Sequence, residues 1–409
     1  MKNGILAPRL ETVREGGEVL GFVAIDTTVC GRALGGLRMA PDVTATEVAG
    51  LARAMTLKYG LAGLPQGGAK AGVLGDPEAP EPERRARLQA FARAIAPLLK
   101  GRVYQPDTDM GTRAGDIHAM LEFVGLKIGR RSLRSDRSGH YTALTVLAGA
   151  RAALSRRGVR LESATVAIEG FGAVGGSLAT LLDRAGARVV AVSTSRGALY
   201  DSRGLDVRRL RELAARHGSG FVLEYHEADR VTHESLRELP VDLLAPCARP
   251  GSIDVENAAR LRARAVSSGA NDPIGPEAEE ILAGRGVVVV PDFVANVGGV
   301  LGGTMRFAAV GEPGIEAFLL EAVGGWIDAL LARAEEEGVS PRRIAAPLAR
   351  TRFEAVRRRA EHPGAAGRVV GALVELHRRR LLPRPLVGAF APRWFRGALA
   401  PPPGPAPTR

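Results

Sequence analysis

Apolar and polar positions alternate in GEVLGFVAIDTT, and this predicts short β-strands within residues 1–40, continued by GRALGGLRM. From PDVTATEVAGLARAMTLKYGLAGLP onward the period becomes helical. Val48, Leu51, Ala52, Met55 and Tyr59 share one apolar face, and Thr44 or Thr46 can cap it. EPERRARLQAFARAIAPLLKG (81–101) reads as a second helix ending at Gly101, and VYQPDTDMGTRAGDIHAM as a strand, a polar turn and a helix start. The polar stretch 128–142 reads as a loop crossing between domains. After it, ATVAIEG (164–170) is a strand, GFGAVGGSLATLLDRAG a turn and helix, and ARVVAVSTS (187–195) the next strand. Apolar strands at 241–246, 264–271 and 286–292 alternate with helical segments, the pattern of a parallel doubly wound sheet.

These elements predict an α/β protein of two domains. Residues 1–135 form an α/β substrate domain and 136–310 a Rossmann-type dinucleotide domain. C-terminal helices over 311–380 pack back near the first domain, and 381–409 is a proline-rich tail with its last ten residues disordered. No internal repeat is visible.

Composition narrows the class. The 409 residues are 45% hydrophobic and 4% aromatic, as in an ordinary globular α/β protein. Cys30 and Cys247 give no disulfide framework, and seven scattered histidines give no metal-ligand spacing. The N-terminus has no apolar core for a secretory signal, and the most apolar later stretch (287–303) is broken by Asp292 and Asn296. Together these predict a cytoplasmic protein without metal or membrane span. The net charge of +12 raises nucleic-acid binding, but the arginines are spread along helices such as RRARLQAFARAI and RTRFEAVRRRAEH rather than interleaved with aromatics.

Only five of the 56 basic residues are lysines: Lys2, Lys58, Lys70, Lys100 and Lys127. Arginine serves most surface roles but cannot lose its proton, whereas a lysine in a closed pocket can become a base. Lys70 stands in GLPQGGAKAGVLGDP among Gly67, Gly68, Ala69, Ala71 and Gly72, where backbone and ligand can approach closely. It is therefore a candidate proton-transfer residue, with Lys58 and Asp109 as further polar landmarks.

EGFGAVGG sets Gly170, Gly172 and Gly175 in a G-x-G-x-x-G pattern with Ala173 and Val174, between a strand and a helix. In that context it is a dinucleotide turn: one glycine for the bend, one for pyrophosphate approach, one for helix–strand packing. The following strand ends in Thr194, Ser195 and Arg196, without the carboxylate usual for NAD. Two hydroxyls and an arginine suit a 2′-phosphate, so the cofactor is NAD or NADP with tolerance for NADP. Arg196 facing solvent, with NAD bound without a carboxylate, stays open.

GGLRMAPDVTATEVAGLARAMTLKYGLAGLPQGGAKAGVLGDP, DTDMGT, SGHYTA, GFGAVG, SSGANDP and PDFVANVGGV occur in this order, and the chain resembles the glutamate/leucine/phenylalanine/valine dehydrogenases over roughly residues 20–310. The resemblance implies an oligomer, homomeric here. It implies two domains about a cleft and reversible NAD(P)-dependent oxidative deamination of an L-amino acid to a 2-oxo acid and ammonia. It matches Lys58 to the lysine on the substrate α-carboxylate, Lys70 to the base activating water, and Asp109 to the proton shuttle. Gly35, Gly36 and Arg38 match the substrate-side strand, Thr142 the threonine near the nicotinamide carboxamide, and Asn271 and Asn296 the nicotinamide–substrate junction.

The resemblance also bears on substrate. In its glutamate-specific branch a lysine precedes the GG and a serine stands seven residues after the N-x-GG asparagine; here these are Leu34 and Gly303. Neither compensates a buried side-chain carboxylate, which predicts a branched-chain or aromatic substrate. Against this stand Asp272, which departs from the family pattern, and Arg306, which can return an acidic substrate. The alternatives are a glutamate dehydrogenase with an atypical pocket and a non-catalytic regulatory paralogue.

Overall fold

A computed structural model of the protein describes residues 8–126, 137–379 and 381–399. The chain forms two compact units. One takes the described residues up to 126 with Ala349–Glu375, the other Arg137–Leu348 with the described residues from Leu376 onward. The expected boundary at 135/136, Lys127 and the residues expected to be disordered from 400 lie outside the described residues. The helices over 311–380 divide between the two units.

The first unit is built on five strands: β1 (Arg9–Glu15), β2 (Glu18–Ile25), β3 (Ala33–Ala40), β4 (Gly67–Leu74) and β5 (Tyr104–Thr108), in the order β1-β2-β4-β3-β5. β3 runs parallel to both β4 and β5, and β2 is antiparallel to β4. The period of two along β3 and β4 separates two faces. Leu37, Met39, Ala69, Ala71 and Val73 enter a core with Leu88, Phe91, Ile117 and Met120, supplied by the helices Glu81–Ala94 and Ala114–Phe123. Gly36, Arg38, Gly68, Lys70 and Gly72 alternate onto the other face, against the helix Ala45–Ala62. A Cβ at Gly68 would lie 2.3 Å from Thr56 Oγ1 of that helix, so the glycine lets helix and sheet close together. Thr44, not Thr46, caps the helix, its hydroxyl accepting from the Glu47 N–H at 3.2 Å.

The second unit holds β6 (Thr165–Glu169), β7 (Arg188–Thr194), β8 (Gly197–Tyr200), β9 (Asp229–Val231), β10 (Leu243–Pro246), β11 (Ala265–Ser267) and β12 (Val288–Val290). Their order is β12-β11-β10-β6-β7-β8-β9. The strands from β12 to β7 are parallel, whereas β8 and β9 add an antiparallel edge that the parallel reading did not anticipate. A helix, Ser138–Ser155, begins inside the stretch read as a loop. Its small N-terminal residues serve packing: a Cβ at Gly139 would fall 2.8 Å from that of Ala173. The segment read as a proline-rich tail contains the helix Arg384–Ala398, whose Phe395 is buried with its ring edge-on to Phe318. Pro385 lies in that helix's first turn, where a missing N–H costs nothing. Among the described residues no helix is long and apolar enough to cross a membrane, and no cluster of three or more His, Cys, Asp or Glu is arranged to hold a metal ion.

Candidate active site

In the first unit the polar face of β3 and β4 carries a buried ionic cluster. Lys70, 2% exposed, sets its Nζ 2.9 Å from Asp109 Oδ1. Arg38, 4% exposed, donates from Nε to Asp109 Oδ2 at 2.8 Å and from Nη1 to Glu47 on the facing helix. Asp109 is held by its turn: its N–H donates to Thr112 Oγ1 at 3.1 Å, and that hydroxyl donates to the Leu37 carbonyl at 2.7 Å. Gly36 lets the cluster close against β3: a Cβ there would lie 2.8 Å from Asp109 Cβ, 3.0 Å from the Thr108 carbonyl oxygen and 3.1 Å from Lys70 Nζ, so a side chain at this position would push both groups out of place.

Burial pushes the Lys70 amine below its ordinary value, against the pull of Asp109 and with help from Arg38. Burial alone would raise the Asp109 carboxyl, but Lys70 and Arg38 outweigh it and hold the group well below the usual carboxylate range. A lysine whose proton is loosened by burial thus sits beside an aspartate held in its ionised form.

Lys58 is also buried, on the helix Ala45–Ala62, next to Tyr59, whose hydroxyl donates to the Leu34 carbonyl at 3.4 Å. Leu34 is half-buried on β3, two residues from Gly36 and so on the same face. Among these residues Arg38 was read only as part of a strand, and Glu47 was not singled out at all. The signal for Glu47 was its place three residues after the Thr44 cap, in the first helical turn.

In the second unit β6 ends at Glu169, Gly170 follows with φ +95°, and Gly172 caps the start of the helix Ala173–Arg184, which also carries Val174. A Cβ at Gly175 would come 1.8 Å from the Gly170 carbonyl oxygen, so helix and turn meet at a distance only glycine permits. A Cβ at Gly172 would meet nothing within 4 Å, leaving room at the helix N-terminus for an anion. Ser193, not singled out from sequence, accepts from the Gly170 N–H at 3.0 Å and fixes the turn.

At the end of β7, Thr194 Oγ1 donates to the Ser219 carbonyl at 2.7 Å and accepts from the Arg196 N–H at 3.1 Å, so this hydroxyl is committed to the fold. Ser195 and Arg196 are exposed in the turn between β7 and β8.

Asn296 is buried, with Nδ2 donating to the Ala270 carbonyl at 2.8 Å and to Asn271 Oδ1 at 3.0 Å. Its own Oδ1, like the buried hydroxyl of Ser268, has no hydrogen-bond partner among the described residues. A buried acceptor without a donor is costly, and an amide-bearing ligand can satisfy it. The open turn at Gly172 and the free acceptor of Asn296 together fit a nicotinamide dinucleotide.

Thr142 Oγ1 would lie 2.7 Å from a Cβ at Gly299, which places Thr142 against the start of the helix Gly298–Phe307. On that helix a Cβ at Gly303 would meet nothing within 4 Å, and Arg306 Nε lies 4.0 Å from Glu312 Oε1. Asp272 takes a left-handed backbone, φ +51°, which aspartate tolerates better than most residues, and its N–H donates to Asp292 Oδ2 at 2.8 Å.

The sequence profile of the glutamate/leucine/phenylalanine/valine dehydrogenases matches residues 135–353, and that of their dimerisation domain matches residues 6–124. The chain belongs to this family. It is an NAD(P)-dependent amino-acid dehydrogenase. It is 39% identical to the glutamate dehydrogenase of Thermotoga maritima over 287 residues, 66% of this chain and 68% of that one. With an NAD-specific glutamate dehydrogenase of Staphylococcus aureus it shares 35% identity over 292 residues, 68% of this chain and 70% of the relative. The leucine-bound structure of the hetero-hexameric glutamate dehydrogenase of Thermus thermophilus superposes with a TM-score of 0.70 at 29% identity, covering 86% of this chain and 89% of that one.

Proposed function

We propose that this dehydrogenase acts on an L-amino acid with an apolar, branched-chain or aromatic side chain, converting it to the 2-oxo acid and ammonia. Neutral Lys70 serves as the base and Asp109 as the proton shuttle. The observation that carries the chemistry is the buried Lys70–Asp109 pair at 2.9 Å, packed so closely against Gly36 that only glycine fits there. When bound, the nicotinamide supplies the oxidant for the substrate Cα–H bond. Gly172, Gly175, Thr142, Asn271 and Asn296 are the residues to hold the cofactor, with Ser195 and Arg196 at the ribose end, where a 2′-phosphate is tolerated.

Lys58 pairs with the substrate α-carboxylate. Lys70, as the free amine, takes a proton from water as it adds to the imine carbon, and the Asp109 carboxylate, 2.9 Å away, relays that proton from Lys70 to the leaving nitrogen. This division of labour needs an amine whose proton is loosened beside a carboxylate held ionised, and the directions in which burial and charge move the two groups support the reading.

Leu34 and Gly303 support an apolar side chain. Neither can pair a buried carboxylate, and desolvating one unpaired costs several kcal/mol, of order 2–7 even for a neutral polar group. Glutamate is the second reading, favoured by the names of the relatives. Arg306 speaks less for it than its charge suggests, because Glu312 faces its guanidinium. A hexameric assembly is proposed from the Thermus neighbour, here of one kind of chain.

The test is reduced-nicotinamide production across L-amino acids with NAD⁺ and NADP⁺. Turnover with leucine, valine, isoleucine or phenylalanine, and little with glutamate, is expected; glutamate alone would overturn the substrate assignment. Lys70→Ala should lower kcat by about 10²–10⁴-fold while dinucleotide binding persists. Undiminished turnover would remove the lysine from the mechanism, and silence across the whole panel with intact dinucleotide binding would favour a regulatory paralogue.

A further inference from the structure

A neutral Lys70 faces an electrostatic difficulty. An aspartate 2.9 Å from an amine favours the ammonium form, so the pair by itself would keep the proton on the base. Asp109, however, is shared. Its Oδ1 meets Lys70, and its Oδ2 receives a charge-assisted bond from Arg38 at 2.8 Å. Arg38 is fixed in turn by Glu47, which reaches from the helix Ala45–Ala62 to the guanidinium's other edge.

We propose that Arg38 is a positioning residue: clamped between Glu47 and Asp109, it orients the Asp109 carboxylate and divides that charge so that Lys70 can shed its proton. The inference rests on the reading of Lys70 and Asp109 as the proton-transfer pair.

The charged and titratable groups around the pair come from four elements. They are Arg38 on β3, Lys70 on β4, Tyr104 and Asp107 on β5, and Glu47 with Tyr59 on the facing helix. Tyr59 and Tyr104 stay protonated, burial raising both well above the ordinary phenol. Arg38 and Glu47 therefore set the local balance, and they act on Lys70 in opposite senses: the guanidinium discourages its proton and the carboxylate favours it. No other buried arginine is paired to both a carboxylate on the catalytic turn and one on the helix above it among the described ion pairs.

The experiment compares pH profiles of kcat for the full-length wild type, Arg38→Gln and Glu47→Gln, using the best substrate from the amino-acid panel. Activity that needs neutral Lys70 rises with pH through the lysine's pKa. Arg38→Gln should move that rising limb to higher pH by about one unit, and Glu47→Gln should move it to lower pH. Arg38→Lys should bring the limb back toward wild type, with kcat still reduced because a single ammonium cannot span both carboxylates as a guanidinium fork does.

Limbs that stay in place, or that move in the same direction in both variants, overturn the proposal. Should Arg38→Gln fail to fold, judged by circular dichroism and thermal melting, Glu47→Gln decides alone: a downward shift supports it and an unmoved limb ends it. Asp109→Asn and Lys70→Ala test the underlying reading separately. If they keep turnover, the pair is not the proton-transfer machinery. If they abolish it while the two limbs stay put, only the role of Arg38 falls.

Discussion

Arg38, buried in the first unit, and Arg342, half-buried in the second, each bridge two carboxylates, and the charge around them is balanced in opposite directions. Arg38 joins Asp109 and Glu47, but Lys70 adds a second cation, so Asp109 is pressed toward the ionised form. Arg342 makes two bonds to Glu279, at 2.7 and 2.8 Å, and one to Asp292 at 2.6 Å, with no second cation among the described ion pairs. There burial, with Asp292 and Asp272 adding like charge, pushes Glu279 up to about 7 despite Arg342. A surplus of cations gives a site that releases protons, and a surplus of carboxylates gives one that keeps them.

The second network is structural, and that is where it can be broken most visibly. Asp292 is tied at both oxygens, one to Arg342 and one to the N–H of left-handed Asp272, beside Asn271. Arg342→Met leaves two buried carboxylates without their cation, a change of about 3–5 kcal/mol. Chemical denaturation should register it directly. A loss under about 1 kcal/mol would mean that the carboxylates accept protons at little cost and that the arginine is dispensable.

A smaller effect concerns pH. Glu279 in the folded chain holds its proton up to about pH 7, whereas an ordinary glutamate releases it near 4.5. Between those values the folded state binds more protons than the unfolded state, so this group makes stability fall as pH rises from about 4.5 to 7. Asp109 has the reverse sign: its folded pKa is depressed, so its contribution is present above the ordinary 3.8 and is lost only in stronger acid. Glu279→Gln should flatten the decline between pH 4.5 and 7 and leave the acid limb alone. Melting temperatures across that range decide it; an unchanged slope would assign the decline to other groups.

What could be read from the sequence follows the range of the interactions. The dinucleotide turn was legible because its reason is local: Gly170 needs a positive φ, and Gly175 touches a carbonyl five residues back. Lys70 stood out by the scarcity of its residue type. The Arg38–Asp109 pair spans 71 positions and Arg342–Asp292 spans 50, so only folding reveals either. Two helices were misread for a related reason. Ser138-Gly139-His140 is small and polar like a loop, yet its smallness serves packing on Ala173, and the proline-rich end forms a helix whose Phe395 is buried in the second unit. The strands β8 and β9 escaped although β11 and β12 are as short, because β9 is the exposed, largely charged Asp229-Arg230-Val231 and β8 opens on Gly197 directly after the turn from β7, so neither shows the apolar run of a buried parallel strand.

The mildest expected change lies where neither network reaches. Gly303 is on the helix Gly298–Phe307, and a Cβ built there meets nothing within 4 Å. Its backbone is helical, so a serine brings no strain and recovers the modest cost of glycine in a helix. Gly303→Ser should therefore alter stability by about 0.5 kcal/mol or less. Its informative effect is on selectivity. If Gly303 helps admit an apolar side chain, the added hydroxyl gives a carboxylate one hydrogen-bond donor, a gain of about 1.5–3 kcal/mol for a bond to a charged group. On the proposed preference, the relative kcat/KM for glutamate should rise without overtaking that for an apolar amino acid. A variant with an unaltered ratio would place Gly303 away from the substrate side chain and leave Leu34 to set the preference alone.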